Sequence, residues 1–147
     1  MKQKIILSFL LLIFHLSFSQ KKIQEIYTNE NTPIFSGCEN SNFKYICYKE
    51  NISKLILSAV NKNIHKNVKR LEISLTMITE DNGKTQIGSL KSKSKQLIEL
   101  TISSLKDVTD LKPVYSKKKK KYEETWVEFK FIFVRNNKTR LFEYVEK

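Results

Sequence analysis

The stretch WVEFKFIFV, residues 126–134, carries a large apolar side chain at every second position, and this alternation constrains the fold more than any other feature. Successive side chains of a strand point to opposite faces of a sheet, so a period of two predicts a strand with one buried face. Four large residues in one row need a covering layer, and we expect them to form the centre of the core. These residues are Val127, Phe129, Phe131 and Phe133.

Three further segments complete a small sheet. Residues 71–77 alternate in the same way and predict a second strand buried on one side. The Asp-Asn-Gly sequence at 81–83 tolerates the positive φ of a tight turn, so a hairpin into a strand over 84–90 is expected. After the turn residues at 136–137, residues 140–145 can return as a last strand.

Two segments show the spacing of three and four residues that is typical of a helix with one buried face. The first covers 51–64, and the second follows Ser94, a suitable N-cap, and ends before Pro113. The sequence therefore predicts an α+β domain, in the order α-β-β-α-β with an optional last strand, whose antiparallel sheet carries both helices on one face. The predicted buried positions are Ile52, Leu55, Ile56, Ala59, Val60 and Ile64 in the first helix, and Leu97, Ile98, Ile102, Leu105 and Val108 in the second.

Residues 1–19 have the plan of a secretory signal peptide, with a basic start, an apolar run and small residues before a cut ahead of Gln20. The apolar run is shorter than the roughly 20 residues of a spanning helix. An uncleaved anchor is the alternative. We therefore expect an exported protein, located in the periplasm, at the outer membrane or outside the cell. A flexible lead-in over 20–32 and one domain over 33–147 complete the expected organisation.

The expected export determines the interpretation of Cys38 and Cys47, because thiols outside the cytosol persist as disulfides. The polar residues at 40–42 bend easily, so the two Cα atoms can approach to the separation of about 4.4 to 6.8 Å that a disulfide requires. We predict a disulfide just before the first helix, worth about 2–3 kcal/mol by loop entropy. A zinc site and a nucleophilic cysteine are alternatives that lack partners, since His65 is the only histidine outside the leader.

The formal net charge of +12 suits an anionic partner without identifying one. Five consecutive lysines favour an exposed, extended loop because like charges repel. No catalytic or cofactor motif is present, so we expect a non-enzymatic protein without a cofactor or metal. Nucleic acid is not an expected partner of an exported chain. The candidates for binding an anionic surface are Lys117, Lys118, Lys119, Lys120 and Lys121.

Several stretches together resemble the TonB C-terminal-like domains found in small exported proteins of Gram-negative bacteria. PIFSGCEN at 33–40 is similar to the Pro-x-Phe-Pro-Gly-Cys-Glu opening of that version, although Ser36 stands where proline is usual. LEISLTMITEDNGKTQI at 71–87 is similar to its strand, turn and strand, and WVEFKFIFV at 126–134 to its last strand. The resemblance covers about residues 33–134 and depends on the order of these segments.

The resemblance implies a mode of binding, in which an extended peptide of an outer-membrane receptor adds as a strand to the sheet edge. The candidate edge is 126–134, with Trp126, Glu128 and Lys130 as candidate contacts on its outer face. A strand over 140–145 could close that edge. Energy transduction is not implied, because we expect neither an uncleaved anchor nor a long Pro-rich linker, and the lysine run replaces the usual proline-rich approach to the last strand.

Two functions therefore compete. The chain is either an interaction module of the cell envelope, which binds an envelope or outer-membrane protein through its sheet edge or basic face, or a small basic envelope protein held on anionic lipid or lipopolysaccharide by the lysines at 117–121. The second hypothesis predicts attachment that weakens steeply with salt. The sequence is compatible with a monomer and with a strand-swapped dimer.

Overall fold

The computed structural model of the protein describes residues 31–65 and 67–145. The signal peptide expected at 1–19 and most of the lead-in expected at 20–32 lie outside the described residues. The elements are α1 (Lys44–Asn63), β1 (Arg70–Thr79), β2 (Thr85–Lys91), α2 (Lys95–Leu105), β3 (Val114–Ser116), β4 (Lys121–Glu123), β5 (Thr125–Arg135) and β6 (Phe142–Tyr144).

Four strands form one antiparallel sheet in the order β2-β1-β5-β6, and β3 and β4 form a separate hairpin. The centre of the sheet is the pair β1 and β5, which runs without a break from Arg70 opposite Val134 to Thr79 opposite Thr125. The predicted α+β fold is confirmed, including the order α-β-β-α-β and the further C-terminal strand. The β3–β4 hairpin is an addition that the sequence analysis did not predict.

The core lies between this sheet and the two helices. Helix α1 contacts β5 and β6, α2 contacts β1 and β2, and the helices contact each other. The phenylalanines of β5 stack in a row along the strand, with ring centroids 5.7 Å apart between Phe129 and Phe131 and 6.1 Å apart between Phe131 and Phe133. The alternation in β1 and β5 thus places these residues in the core, as predicted: Leu71, Ile73, Leu75, Met77, Val127, Phe129, Phe131 and Phe133.

The predicted turn between β1 and β2 is confirmed. Gly83 has a φ of +91°, which only glycine adopts without strain, and the Lys84 N–H donates to Oδ1 of Asn82 at 2.8 Å. A Cβ at Gly83 would lie 2.5 Å from the carbonyl oxygen of Leu111. The turn therefore needs glycine both for its backbone conformation and for the close approach of the segment that precedes β3.

Helix α1 begins at Lys44 rather than at Asn51, so Cys47 lies inside the helix and not before it. The buried stripe extends through Tyr45 and Tyr48, and the Tyr48 ring meets Phe129 edge-to-face at 5.0 Å. Packing of these aromatic rings offsets the weak helix propensity of the segment. Leu55, predicted to be buried, is 38% exposed because it lies beside the stripe rather than on it.

Helix α2 begins as predicted, with the Ser94 Oγ accepting a hydrogen bond from the Leu97 N–H at 3.2 Å. Its buried face is shifted from the predicted one, because Thr101 is buried and Ile102 is 50% exposed. The buried Thr101 hydroxyl has a hydrogen-bond partner, because it donates to the Leu97 carbonyl at 2.8 Å. The helix ends at Leu105, so Val108 lies beyond it.

The prediction of an exposed, extended loop at 117–121 is confirmed for the exposure and wrong for the conformation. Residues 117–120 form the turn of the β3–β4 hairpin, and Lys121 is the first residue of β4. Two contacts offset the repulsion between lysines: Tyr115 packs against Tyr122 across the strands, and the Lys119 ammonium lies 2.7 Å from the Glu123 carboxylate. The first contact joins the two strands and the second joins the turn to β4, and we infer that they favour the hairpin over an extended loop.

Candidate functional site

Strand β5 divides its side chains between a buried and an exposed face. Its inner face lies under the helices, whereas Trp126, Glu128 and Lys130 lie on the opposite face of the sheet, here called the outer face. All three are exposed, Trp126 by 63%. The Trp126 indole N–H donates to the Glu124 carboxylate at 2.7 Å, which holds the ring at the start of the strand. The structure thus brings the three candidate contacts together in one row.

The backbone of β5 is paired along one side and only partly along the other. Strand β1 covers residues 125–134, whereas β6 covers only residues 133–135, and the Val145 N–H donates to the Ile132 carbonyl at 2.9 Å. The predicted edge 126–134 is therefore closed at its C-terminal end by the last strand. Within the described residues no strand covers 126–130 on this side, and we call this stretch the open edge.

Two contacts at the far end of β5 hold β6 in place. Asn61 of α1 bonds both backbone groups of Phe142, accepting from its N–H at 2.6 Å and donating to its carbonyl at 3.2 Å. The Arg135 guanidinium lies 4.0 Å above the Phe142 ring, and its Nε donates to the Val68 carbonyl at 2.8 Å. Because these anchors involve only the start of β6, they fix the closed part of the edge and leave 126–130 uncovered.

Alternation along the strand shows which backbone groups face the open edge. The Ile132 carbonyl points to the β6 side, where it meets Val145, and the backbone groups of every second residue point the same way. The N–H and C=O groups of Trp126, Glu128 and Lys130 therefore face the open edge. The Glu128 carbonyl confirms this, because it accepts a hydrogen bond from the Tyr45 hydroxyl at 3.1 Å.

Tyr45 thus occupies one acceptor of the open edge with a side chain. Its ring stacks on Phe129 with centroids 5.6 Å apart, so the hydroxyl is held at the level of the strand. Sequence reasoning missed this contact, which joins residues far apart in the chain. The spacing of Tyr45, Tyr48 and Ile52 could have extended the predicted helix to include it, but not the hydrogen bond to Glu128.

A shallow groove of about 580 Å³ extends over the outer face and reaches the open edge. Across the sheet, Ser74 of β1 stands opposite Lys91 on β2 and Lys130 on β5, so two lysines flank one hydroxyl. Lys49 of α1 also lines the groove, with its ammonium 5.7 Å from the centre of the Tyr144 ring. Because three lysines and Glu128 line the groove, it favours acidic groups of a ligand.

The lysine candidates are all exposed in the β3–β4 hairpin, which directly precedes β5 in the chain. The Lys119 ammonium, hydrogen-bonded to the Glu123 carboxylate, lowers the pKa of Glu123. The hairpin is therefore a second candidate surface, separate from the groove. Its lysines are Lys117, Lys118, Lys119, Lys120 and Lys121.

The predicted disulfide is confirmed. Cys38 and Cys47 are joined with a Cα–Cα distance of 5.9 Å, and the Asn51 side chain donates to the Cys47 carbonyl at 2.9 Å. In the loop, backbone N–H groups of Glu39 and Gly37 hydrogen-bond the Glu39 carboxylate and lower its pKa. The disulfide thus secures the loop to the start of α1, the helix that carries Tyr45 and Lys49 to the groove.

The described residues offer little for other chemistry. Among residues 31–65 and 67–145, no group of three His, Cys, Asp or Glu side chains could hold a metal ion. In the same part of the chain, no helix is both long enough and apolar enough to cross a membrane. The absence of enzymatic activity, of a cofactor and of a metal stays a prediction. Comparisons with protein-family models, with curated proteins and with solved structures found nothing that matches this chain, so the resemblance to TonB C-terminal-like domains also stays a prediction.

Proposed function

We propose that this chain is a non-enzymatic protein-interaction module of the cell envelope, which binds an extended segment of an envelope or outer-membrane protein along its open edge. The observation that carries the proposal is the unfinished pairing of β5, covered by β1 on one side and only at 133–135 on the other. The leader expected at 1–19 and the resemblance to TonB C-terminal-like domains support the location and the mode of binding.

An open edge offers unpaired N–H and C=O groups that a strand of a partner can satisfy. Proteins usually protect such edges with charged side chains or with covering groups. Here Glu128 and Lys130 supply the charges, and Tyr45 covers one carbonyl with a hydroxyl. These features oppose pairing of the open edge with the open edge of a second copy of the chain. They leave the N–H groups of Trp126, Glu128 and Lys130 pointing outward.

The geometry limits the partner segment. The open edge of five residues has a length of roughly 17 Å at the usual strand rise, enough for one short strand. Alternate side chains of that strand would lie on the outer face, next to Lys130 of β5. We therefore expect an extended segment with acidic side chains at alternate positions.

Tyr45 must give up its hydrogen bond when a strand adds, because an incoming N–H takes the Glu128 carbonyl. Exchange of one hydrogen bond for another has a small net effect on free energy. Tyr45→Phe keeps the ring contact with Phe129 but leaves the carbonyl uncovered, so we expect this variant to bind the partner at least as tightly as the wild type.

The proposal can be tested by blocking the backbone of the open edge, with a control for the one groove side chain that the substitution removes. Glu128→Pro removes an N–H that points away from β1, so the β1–β5 hydrogen bonds remain, and edge strands tolerate proline at such positions. Glu128→Gln is the matched control, since it removes the same charge and keeps the N–H. Each form is used to capture proteins from an envelope extract in about 0.5 M NaCl, which suppresses weak charge attraction.

We expect the wild type and Glu128→Gln to retain a defined protein. The amount retained by Glu128→Pro should be lower by at least about tenfold. Hydrogen exchange should then slow at the amides of Trp126, Glu128 and Lys130 when the retained protein binds. Equal retention by the folded Glu128→Pro variant, or no retained protein, would overturn the proposal. A dimer of the chain alone that is lost in Glu128→Pro would instead identify a second copy as the occupant.

A further inference from the structure

The β3–β4 hairpin places two aromatic rings beside a dense group of positive charges. Tyr115 and Tyr122 stand directly opposite each other, so they share one face of the hairpin, and their rings meet edge-to-face with centroids 5.3 Å apart. They are 51% and 47% exposed. Residues 114–123 carry five lysines and one glutamate. The hairpin is therefore strongly basic and has exposed aromatic rings.

The base of the hairpin is fixed to the domain, while the turn is exposed. The Leu111 N–H donates to the Gly83 carbonyl at 2.9 Å, and Ile34 and Lys112 exchange backbone hydrogen bonds of 2.9 and 3.1 Å. None of residues 114–123 belongs to the hydrophobic core of the described chain. Burial thus gives no reason for the tyrosines or the lysines, which are held outward on a fixed base.

We propose that the β3–β4 hairpin binds the surface of an anionic lipid bilayer. Lysines near such a surface each strengthen binding by about fivefold, through attraction to the lipid phosphates. Tyrosine rings are enriched at the membrane–water interface, where the ring contacts apolar groups and the hydroxyl stays hydrated. The hairpin combines both features within ten residues. It contacts the headgroup region, and no part of it crosses the bilayer.

The shape of the hairpin favours a lipid surface over nucleic acid. Proteins that bind single-stranded nucleic acid without sequence preference track its backbone along a basic groove and stack bases on open aromatic faces. Here the lysines cluster at one exposed turn, and the edge-to-face contact between Tyr115 and Tyr122 covers part of one ring. A short, exposed basic turn with two aromatic rings on the adjoining strands matches a planar anionic surface better.

This site is independent of the open edge, although the two are close in sequence. Strand β4 ends at Glu123 and β5 begins at Thr125, so a hairpin on the membrane would hold the start of the open edge near the bilayer. A partner segment from an outer-membrane protein would be available at the same place. The lipid contact does not require that partner, and the partner contact does not require lipid.

The test compares two variants of equal charge by sedimentation with vesicles. The first replaces the five lysines at 117–121 by glutamine. The control replaces five other exposed lysines by glutamine, at positions 54, 62, 93, 95 and 106. Vesicles contain phosphatidylcholine with about 30% phosphatidylglycerol, or phosphatidylcholine alone, at low salt where surface attraction is strong. We expect the hairpin variant to lose at least about 100-fold in partitioning to anionic vesicles and the control less than about tenfold.

A second variant tests the aromatic rings. Tyr115→Ser combined with Tyr122→Ser keeps all lysines, and we expect a loss of roughly tenfold on anionic vesicles. Equal losses in the two lysine variants would overturn the proposal by reducing it to net charge. Unchanged binding of the tyrosine variant would overturn it by showing that the rings do not contact the bilayer. If a single-stranded oligonucleotide displaced the protein from the vesicles at a concentration below that of the anionic lipid, the proposal would be overturned in favour of nucleic acid. Glu128→Pro should bind vesicles like the wild type, which separates this test from that of the open edge.

Discussion

Two antiparallel strand pairs in this chain share the same pairing pattern but differ in length and in their surroundings. The pair β1 and β5 runs over ten residues, and its inner side chains are buried under two helices. The pair β3 and β4 runs over three residues, and its central tyrosines are half exposed. The two pairs therefore differ in burial and in length, although both are antiparallel.

The comparison separates stability from binding. An isolated two-stranded hairpin is marginally stable in water, whereas a sheet with a covered apolar face is stable because burial supplies most of the free energy. The β3–β4 hairpin contributes little burial, so its side chains can be charged and exposed without loss to the core. The same holds on the outer face of β5, where the candidate contacts replace no core residue.

The largest effect should follow from truncation in the buried pair. Phe131 is fully buried and stacks on both neighbouring phenylalanines of β5, so we expect Phe131→Ala to lower the free energy of unfolding by about 3–5 kcal/mol. Tyr122→Ala, in the exposed pair, should lower it by less than about 1 kcal/mol. Urea unfolding monitored by circular dichroism measures both. Similar losses for the two variants would contradict the comparison.

The disulfide should have the next largest effect. Replacing both cysteines by serine removes a short crosslink, and we expect the free energy of unfolding to fall by about 2–3 kcal/mol. The link holds the start of α1, where Tyr45 and Tyr48 pack against Phe129. Thermal unfolding of the oxidised and the serine forms gives the comparison. A change in melting temperature as small as that of a surface substitution would show that aromatic packing alone fixes the helix start.

The sequence predicted the regular parts of the buried pair and missed the contacts that bring distant segments together. Alternation identified β1 and β5 because one covered face selects apolar residues at every second position. The three-residue strands β3 and β4 are too short for such a pattern, and the lysines between them suggested a loop. The partial closure by β6 and the Tyr45 contact with Glu128 depend on chain packing, so the exact extent of the open edge was not predictable.

A smaller effect is expected where the hairpin base meets the core sheet. Gly83→Ala would place a Cβ 2.5 Å from the Leu111 carbonyl oxygen at a φ of +91°, and we expect a loss on the order of 2 kcal/mol. Gly37→Ala is the matched control, because its φ is +88° with no atom within 4 Å of the Cβ, so only the backbone penalty of roughly 1 kcal/mol remains. Urea unfolding measures both. Equal losses would indicate that the turn can move away from Leu111, and so that the hairpin base is not fixed.

The smallest effect at neutral pH concerns Tyr48, the buried counterpart of the exposed hairpin tyrosines. Its hydroxyl has no hydrogen-bond partner within the described chain, and burial raises its pKa well above the ordinary value. Above about pH 10 the unfolded chain loses a proton that the folded chain keeps, so this group destabilises the fold only as pH rises past that value. We expect Tyr48→Phe to change the free energy of unfolding by less than about 1 kcal/mol at pH 7.

At higher pH the free energy of unfolding of the Tyr48→Phe variant should rise relative to that of the wild type by up to about 1.4 kcal/mol per pH unit. Ionisable groups that are common to both forms cancel in the difference. Tyr122→Phe is the control, because it removes the same hydroxyl from a half-exposed tyrosine, so only the difference between the two variants reports on burial. If the free energies of unfolding of Tyr48→Phe and the wild type changed in parallel up to pH 11, water would have to reach the Tyr48 hydroxyl. The contrast between a buried core and an exposed hairpin would then not hold at this residue.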